Sequence, residues 1–150
     1  MPADDLLALD QWADSMLARF SPAARKKLSQ LIARDLRRNQ QQRIARNENP
    51  DGSAYAPRRP RIRDGKTTTL RRKMFPKLRQ AKHLKMKVTP ESISLMYLGR
   101  TGRLARVHQY GLRDRAQPDA PNTRYAKREL LGLSADDHDM IRAHLIDHLD

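Results

Sequence analysis

The chain has 150 residues, a formal net charge of +14, and only 5% aromatic residues among 38% hydrophobic ones. This length suits one domain with a modest core, and the charge indicates a polyanionic partner. Cysteine is absent, which excludes a disulfide framework and thiolate chemistry. The start MPADDLLALDQW is acidic where a signal peptide is basic, and no apolar run approaches a membrane span. The sequence therefore predicts a protein that is made in the cytoplasm and has no membrane partner.

Two helices are predicted at the start of the chain. Apolar residues at helical spacing predict the first over residues 3–19. Ser21-Pro22 then offers an N-cap and a first-turn proline for a second helix that runs to about Asn47. Its apolar stripe is interrupted at RRNQQQR (37–43), which is typical of a helix that projects from the core or meets another subunit. We expect the two helices to form an antiparallel hairpin.

A proline-rich loop follows the second helix. Asn49-Pro50-Asp51-Gly52 ends the helix, because the residue before proline avoids helical conformation and Asp-Gly favours a tight turn. Residues 53–70 add two prolines, much charge and few apolar side chains. We interpret 47–70 as an extended loop or assembly arm that a neighbouring subunit would order, with a solvated surface loop as the alternative.

A β-hairpin is predicted in the middle of the chain. LKMKVT (84–89) and ISLMYL (93–98) alternate about a Thr-Pro-Glu-Ser turn. The second strand is apolar on both faces through Met96 and Leu98, which favours a central strand or an interface. A short helix is expected before this hairpin, around Met74 and Phe75.

The last third predicts two further helices. The first covers about 102–110 and closes at Gly111, although a strand is the alternative there. Residues 112–127 look irregular, and Ser134 followed by Asp137 predicts a capping box that opens a C-terminal helix. The predicted fold class is thus a single α+β domain over 1–150, with an N-terminal helical hairpin, a small antiparallel sheet, a long irregular arm and a C-terminal helix.

Candidate catalytic and metal-binding residues are few. His108 has no acidic neighbour in sequence to orient an imidazole, so we expect it to pack or cap at a helix end. His144 and His148 are spaced i, i+4, but zinc would need further ligands from elsewhere. The sequence holds no phosphate-binding glycine loop, paired acidic motif or serine elbow. We therefore predict no enzyme activity, no cofactor and no metal.

Positive charge is concentrated in the middle of the chain. Thirteen Lys and Arg residues fall between Arg58 and Lys87 against one Asp, whereas 134–150 holds five Asp against one Arg. A basic middle segment and an acidic C-terminal segment favour contacts between copies of the chain. The basic tract is either a solvated loop or a surface for nucleic acid or an acidic protein. The residues predicted to face a polyanion or DNA are Arg58, Arg59, Arg61, Arg63, Arg71, Arg72, Lys73, Lys77, Arg79, Lys85 and Lys87.

Several motifs also occur in an order that resembles a known family. They are NPDGSAY (49–55), ARVHQYG (105–111) and LLGLS (130–134), with KMFPKLR between the first two. In this order they are similar to the phage virion morphogenesis family, which includes the tail completion proteins of contractile-tailed phages. One departure is Arg128-Glu129, where the family pattern has Arg-Pro; the extended segment here lacks that stiffening residue.

The resemblance implies a structural protein that completes the tail and allows it to join the filled head. It further implies a sixfold ring of copies around the channel for genomic DNA. The implied partners are the tail tube or sheath terminus and the head connector, and the implied final location is the virion. The subunit-interface residues expected on this basis are Asn49, Pro50, Asp51, Gly52, Tyr55, Met96, Leu98, His108, Tyr110, Leu130 and Leu131. A small basic nucleic-acid-binding regulator is the alternative function.

Overall fold

The computed structural model of the protein describes residues 3–63, 65–68 and 73–150. Within these ranges four α-helices and three two-stranded antiparallel sheets follow one another, so the predicted α+β class is confirmed. The helices are α1 (Ala3–Arg19), α2 (Pro22–Ala45), α3 (Gly99–Tyr110) and α4 (Ala135–Leu149). The strands are β1 (Arg61–Arg63), β2 (Lys66–Thr68), β3 (Lys85–Val88), β4 (Ile93–Met96), β5 (Arg113–Asp114) and β6 (Thr123–Arg124), paired consecutively.

The two N-terminal helices meet at the predicted Ser21-Pro22 boundary. The Ser21 hydroxyl oxygen accepts a hydrogen bond from the Ala24 amide at 3.2 Å, which caps α2. Most of the large apolar side chains of α1 are half or more exposed, Trp12 by 62%. α1 therefore leaves its apolar side uncovered by the described part of the chain.

The polar middle of α2 is where the sequence interpretation was wrong. Residues 37–43 were expected to project from the core or to meet another subunit. Instead Gln40 and Arg43 are 1% and 3% exposed, and with Ile44 they continue the buried face that Leu36 begins. The side-chain amide of Gln40 and the two terminal guanidinium nitrogens of Arg43 are paired inside the same chain, as described below, while the Arg43 Nε has no partner among the described residues.

The predicted β-hairpin over 84–98 forms as expected. Lys85 pairs with Met96 and Val88 with Ile93, around a turn in which the Thr89 amide donates to the Ser92 carbonyl at 2.9 Å. The lysines of β3 are exposed, while Met86 and Val88 are half-buried. β4 was expected to be buried on both faces, but all four of its residues are only partly buried.

Three other segments differ from the sequence interpretation. The short helix expected around Met74 and Phe75 is absent from the described residues, and Phe75 has a φ of +56°, which a helix does not allow. The irregular segments 53–70 and 112–127 each contain a short hairpin, β1–β2 and β5–β6. Hairpins of two or three residues per strand carry too little alternation to be recognised in a sequence.

The predicted boundaries of α3 and α4 are largely correct. α3 starts three residues before the expected Gly102 and ends at Gly111, whose φ of +64° is the left-handed conformation that favours glycine. α4 opens with the predicted capping box, in which Ser134 and Asp137 each bond the backbone amide of the other. None of the helices within the described ranges is long and apolar enough to cross a membrane.

A small core joins these elements. Its buried members are Ile44, Tyr55, Leu78, Ala105 and Leu130, and Met74, Phe75 and Tyr97 pack against them. The core therefore combines the end of α2, the loop after it, the turn before β3, α3, and the extended segment before α4. Each of the segments that carry the motifs quoted above contributes to it.

Candidate assembly site

The loop at 47–55 folds on itself through backbone hydrogen bonds. The Asn49 amide donates to the Ser53 carbonyl at 2.8 Å, and the Tyr55 amide to the Asn47 carbonyl at 2.7 Å. Asp51 accepts from the Ser53 amide at 2.8 Å, and hydrogen bonds from the side chain and backbone of Ser53 lower the pKa of its carboxyl group. Gly52 supplies the positive φ of +88° that the turn requires. We call residues 47–55 the NPDG loop.

The NPDG loop docks on the extended segment at 128–132. The Asn49 side-chain oxygen accepts from the Glu129 amide at 2.9 Å, and the Tyr55 hydroxyl donates to the Glu129 carbonyl at 2.9 Å. Pro50 lies so close to Gly132 that a Cβ atom there would be 2.5 Å from the proline ring. The NPDG loop is therefore held by its own chain, unlike the neighbour-ordered arm expected from the sequence.

Both backbone groups of Glu129 are hydrogen-bonded. Its amide donates to the Asn49 side-chain oxygen, a bond that a proline at this position could not make. Its carbonyl accepts from Arg43 at 3.1 Å as well as from Tyr55. Pairing with α2 and the NPDG loop thus holds the 128–132 segment in place.

Arg43 on α2 is the centre of a buried polar cluster. Its guanidinium donates to the backbone carbonyls of Glu48 (2.9 Å), Glu129 (3.1 Å) and Leu130 (2.7 Å), and to the side-chain oxygen of Gln40. The planar fork of arginine suits several acceptors at once. One side chain therefore ties α2 to both the NPDG loop and the 128–132 segment.

Asp137 extends this cluster to α4. Its carboxylate oxygens accept from Asn39 at 2.9 Å and from Gln40 at 3.2 Å, besides the Ser134 amide of the capping box. Asp137 is 1% exposed. A buried carboxylate is tolerated when donors surround it, and here the donors come from two helices. The Asp137 carboxylate therefore both caps α4 and joins α4 to α2.

Gln109 on α3 holds the other side of the 128–132 segment. Its side-chain oxygen accepts from the Leu130 and Leu131 amides at 2.8 and 2.9 Å, and its nitrogen donates to the Leu131 carbonyl at 2.8 Å. The Arg128 amide donates to the His108 carbonyl at 2.8 Å. The segment is consequently fixed between α2 and α3 without belonging to a β-sheet.

His108 lies in an aromatic cluster inside the protein. Its ring meets Phe75 at 4.7 Å and Tyr125 at 5.1 Å between centroids, both edge to face. Its Nδ1 is buried and has no hydrogen-bond partner among the described residues. Burial first, and the charge of Arg128 second, lower the pKa of His108 from 6.5 to about 4. The imidazole is therefore neutral at physiological pH.

This burial predicts an acid-sensitive stability. Because the unfolded chain takes up a proton near pH 6.5 and the folded one only near pH 4, stability falls as pH decreases through that window. The loss amounts to at most about 3 kcal/mol between these two values. Urea unfolding at a series of pH values measures it, and His108→Phe should flatten the profile. His138→Gln, at an exposed position of α4, is the control and should retain the pH dependence of the wild-type chain. A wild-type free energy of unfolding that does not change between these pH values contradicts the prediction.

A basic cleft opens beside this aromatic cluster. It has a volume of about 430 Å³ and is lined in part by Arg58, Arg59, Arg124 and Arg128 together with Phe75 and Tyr125. Arg128 is buried and donates to the carbonyls of Ala56 and Pro57 at 2.8 and 3.0 Å, and Arg58 donates to that of Lys73 at 3.1 Å. Two of these arginines therefore shape the cleft wall.

The residues predicted to face a polyanion differ in their exposure where the structure describes them. Arg71 and Arg72 lie outside the described residues, and Arg61 and Arg63 belong to β1. Arg58 and Arg79 are half-buried. The exposed members of the set are Arg59, Lys73, Lys77, Lys85 and Lys87.

The residues predicted to form subunit interfaces also differ in their exposure. Tyr55, His108 and Leu130 are buried inside the same chain, so the structure places them away from the surface. Asn49, Pro50, Met96 and Leu131 are half-buried. Leu98, Tyr110, Asp51 and Gly52 are exposed, and for them an interface role stays a prediction.

Four side chains that organise this site were missed in the sequence. They are Gln40, Arg43, Gln109 and Arg128. The first two follow Leu36 at helical spacing, which was a signal for a buried face that their polarity obscured. The other two donate to or accept from backbone groups of distant segments, and no local pattern indicates that.

The two histidines weighed as metal ligands in the sequence each have a partner within the same chain. The His144 ring nitrogen lies 2.6 Å from an Asp35 carboxylate oxygen, and the His148 ring bonds the Arg19 carbonyl. Among the described residues no three side chains of the His, Asp or Glu type are grouped so as to hold a metal ion.

Comparisons with known proteins agree with the motifs that this site brings together. Residues 4–150 match the model of the phage virion morphogenesis family. The chain is also 36% identical over 136 residues to the tail completion protein S of Escherichia phage P2, covering 90% of this chain and 91% of that protein. No solved structure matches. The chain belongs to the phage virion morphogenesis family.

Proposed function

We propose that this protein completes a phage tail and enables the tail to join the head, as a non-enzymatic subunit of a ring at the tail terminus or neck. The observation that carries the proposal is the similarity to a tail completion protein over nine-tenths of both chains. The protein would assemble in the host cytoplasm and remain in the virion.

Exposed apolar surface supports self-association into such a ring. Large apolar side chains are exposed on several elements, among them Trp12, Leu98, Tyr110 and Ile146. Contiguous exposed apolar surface on a small protein is usually covered by a partner. Identical subunits joined head to tail close into rings when the rotation allows. The central channel would pass DNA, and the tail tube or sheath terminus and the head connector would be the outer partners.

Electron microscopy of lysates from a phage or prophage lacking this gene tests the role. The expected result is full heads beside unattached or wrongly terminated tails, with joined particles restored by the gene in trans. Normal joined particles at normal yield would overturn the proposal.

A second candidate function is nucleic-acid binding, which the exposed lysines of β3 favour. Lys85 and Lys87 share one side of that strand. Replacing both with Glu tests the two functions together. For a regulator, affinity for duplex DNA should fall at least about tenfold. The number of counterions released on binding, measured from the salt dependence of the affinity, should fall by about two. For a tail completion protein, DNA binding is weak from the start and joined particles decrease instead.

The matched control reverses two charges elsewhere. Arg38→Glu with Arg142→Glu changes the net charge equally, at positions 61% and 74% exposed on α2 and α4. Equal effects of both double variants on particle yield would show that net charge alone matters, and would remove any special role for β3.

A further inference from the structure

The basic cleft is built from four parts of the chain that lie far apart in sequence. Its lining comes from residues 57–59 after the NPDG loop, from 74–75, from His108 of α3, and from 123–128. None of the described residues that line it is Asp or Glu. The fold therefore gathers positive charge at this cleft without bringing a carboxylate to balance it.

Three arginines of the cleft have hydrogen-bond donors left for a ligand. Arg128 uses its Nε and one terminal nitrogen on the carbonyls of Ala56 and Pro57, and its other terminal nitrogen has no partner among the described residues. Arg59 and Arg124 are exposed, and neither side chain has a hydrogen bond or ion pair within the described part of the chain. Planar guanidinium groups with donors to spare suit an oxyanion such as a carboxylate or a phosphate.

Repulsion between the arginines favours an anion from outside. Burial first, and the positive charge of Arg58 second, lower the pKa of Arg128. The two guanidinium groups are therefore close enough to destabilise each other's charge. An anion bound between the arginines of the cleft would relieve this repulsion, and the chain offers none there among its described residues.

The apolar part of the cleft favours an acidic peptide over nucleic acid. Pro57, Met74 and Phe75 line it beside the arginines, so an apolar side chain fits next to a bound carboxylate. Stacking of a base needs an available ring, but Phe75 already meets Tyr55 at 5.9 Å and His108 at 4.7 Å between centroids. A concave cleft of about 430 Å³ admits a protruding side chain, whereas the phosphates of duplex DNA lie on a convex surface.

We propose that this cleft binds an acidic segment of another protein of the assembly. Arg59, Arg124 and Arg128 would bind its Asp or Glu carboxylates, and its apolar side chains would pack on Met74 and Phe75. A second copy of the chain would bring a further net charge of +14, whereas an acidic partner is attracted to the cleft. The source of the segment rests on the proposed role in tail completion. Binding is measured on the purified chain, so its failure leaves the particle assay unaffected.

Fluorescence anisotropy of a labelled peptide of alternating Glu and Leu residues tests the cleft. This peptide should bind the purified chain at least about tenfold more tightly than the same peptide with Gln in place of Glu. Arg59→Glu and Arg124→Glu, at exposed positions, should each weaken its binding at least about tenfold. Arg142→Glu makes the same change of charge on α4, where the side chain is 74% exposed, and should leave binding unchanged.

Three results would overturn the proposal. The first is equal binding of the Glu and Gln peptides, or equal effects of Arg124→Glu and Arg142→Glu. The second is a single-stranded oligonucleotide that binds more tightly than the Glu peptide and is lost with Arg124→Glu, which assigns the cleft to nucleic acid. The third is an assembly of the wild-type chain alone, seen by light scattering, that Arg124→Glu dissociates and Arg142→Glu does not. That result assigns the cleft to a second copy.

Discussion

Arg43→Ala should lower the free energy of unfolding of this protein by about 3–5 kcal/mol. The substitution leaves the carbonyls of Glu48 and Leu130 without this donor in a site where Arg43 is 3% exposed. The Glu129 carbonyl loses one of its two donors and keeps the Tyr55 hydroxyl. A typical domain has only about 5–15 kcal/mol of stability, so this loss is a large share. Urea unfolding of the purified variant measures it.

Arg46→Ala is the matched control for this variant. Arg46 lies one turn further along and is exposed, and among the described residues its side chain pairs with Glu48 alone, in a surface ion pair at 3.3 Å. Its loss should cost no more than about 1 kcal/mol. Arg43→Lys should resemble Arg43→Ala, because an ammonium group cannot reach the same set of acceptors. Equal stability of the Arg43 and Arg46 variants would contradict the central place given to Arg43.

Asp137→Ala should be the next most damaging change, at about 2–4 kcal/mol. It removes the acceptor of the capping box and leaves the side-chain amide nitrogens of Asn39 and Gln40 without this acceptor. Because α2 and α4 meet through these bonds, the loss should also loosen α4 from α2. Hydrogen exchange of the α4 amides, together with urea unfolding, tests both effects.

Asp136→Ala supplies the comparison for Asp137. Asp136 is in the same first turn of α4 and is exposed, so it contributes only its interaction with the helix dipole, about 1 kcal/mol or less. A double-mutant cycle between Gln40 and Asp137 should give non-additive losses, since the two side chains are in contact. Strict additivity would show that the cluster does not act as a unit.

The features that the sequence predicted correctly are short-range ones. The Ser21 cap, the Ser134–Asp137 capping box, the Gly111 helix end and the β-hairpin over 84–98 each depend on residues a few positions apart. Side-chain caps and left-handed glycine turns depend on local geometry alone, so the residue types at those positions predict them. The family resemblance also rests on such short motifs.

The features that the sequence missed depend on residues far apart in the chain. Gln40 and Arg43 looked like a solvent-exposed stretch because partners such as Leu130, Gly132 and Asp137 lie beyond position 128. The NPDG loop looked like a free arm because Glu129, its main anchor, is 80 residues from Asn49.

Composition and local pattern thus determined the class of fold, the helix ends and the basic character of this protein. Only the tertiary structure decided which polar residues are buried and which apolar ones, such as those of α1, are left exposed. The physical reason is that a polar group enters the interior only when a partner satisfies it, and the fold chooses that partner from anywhere in the chain.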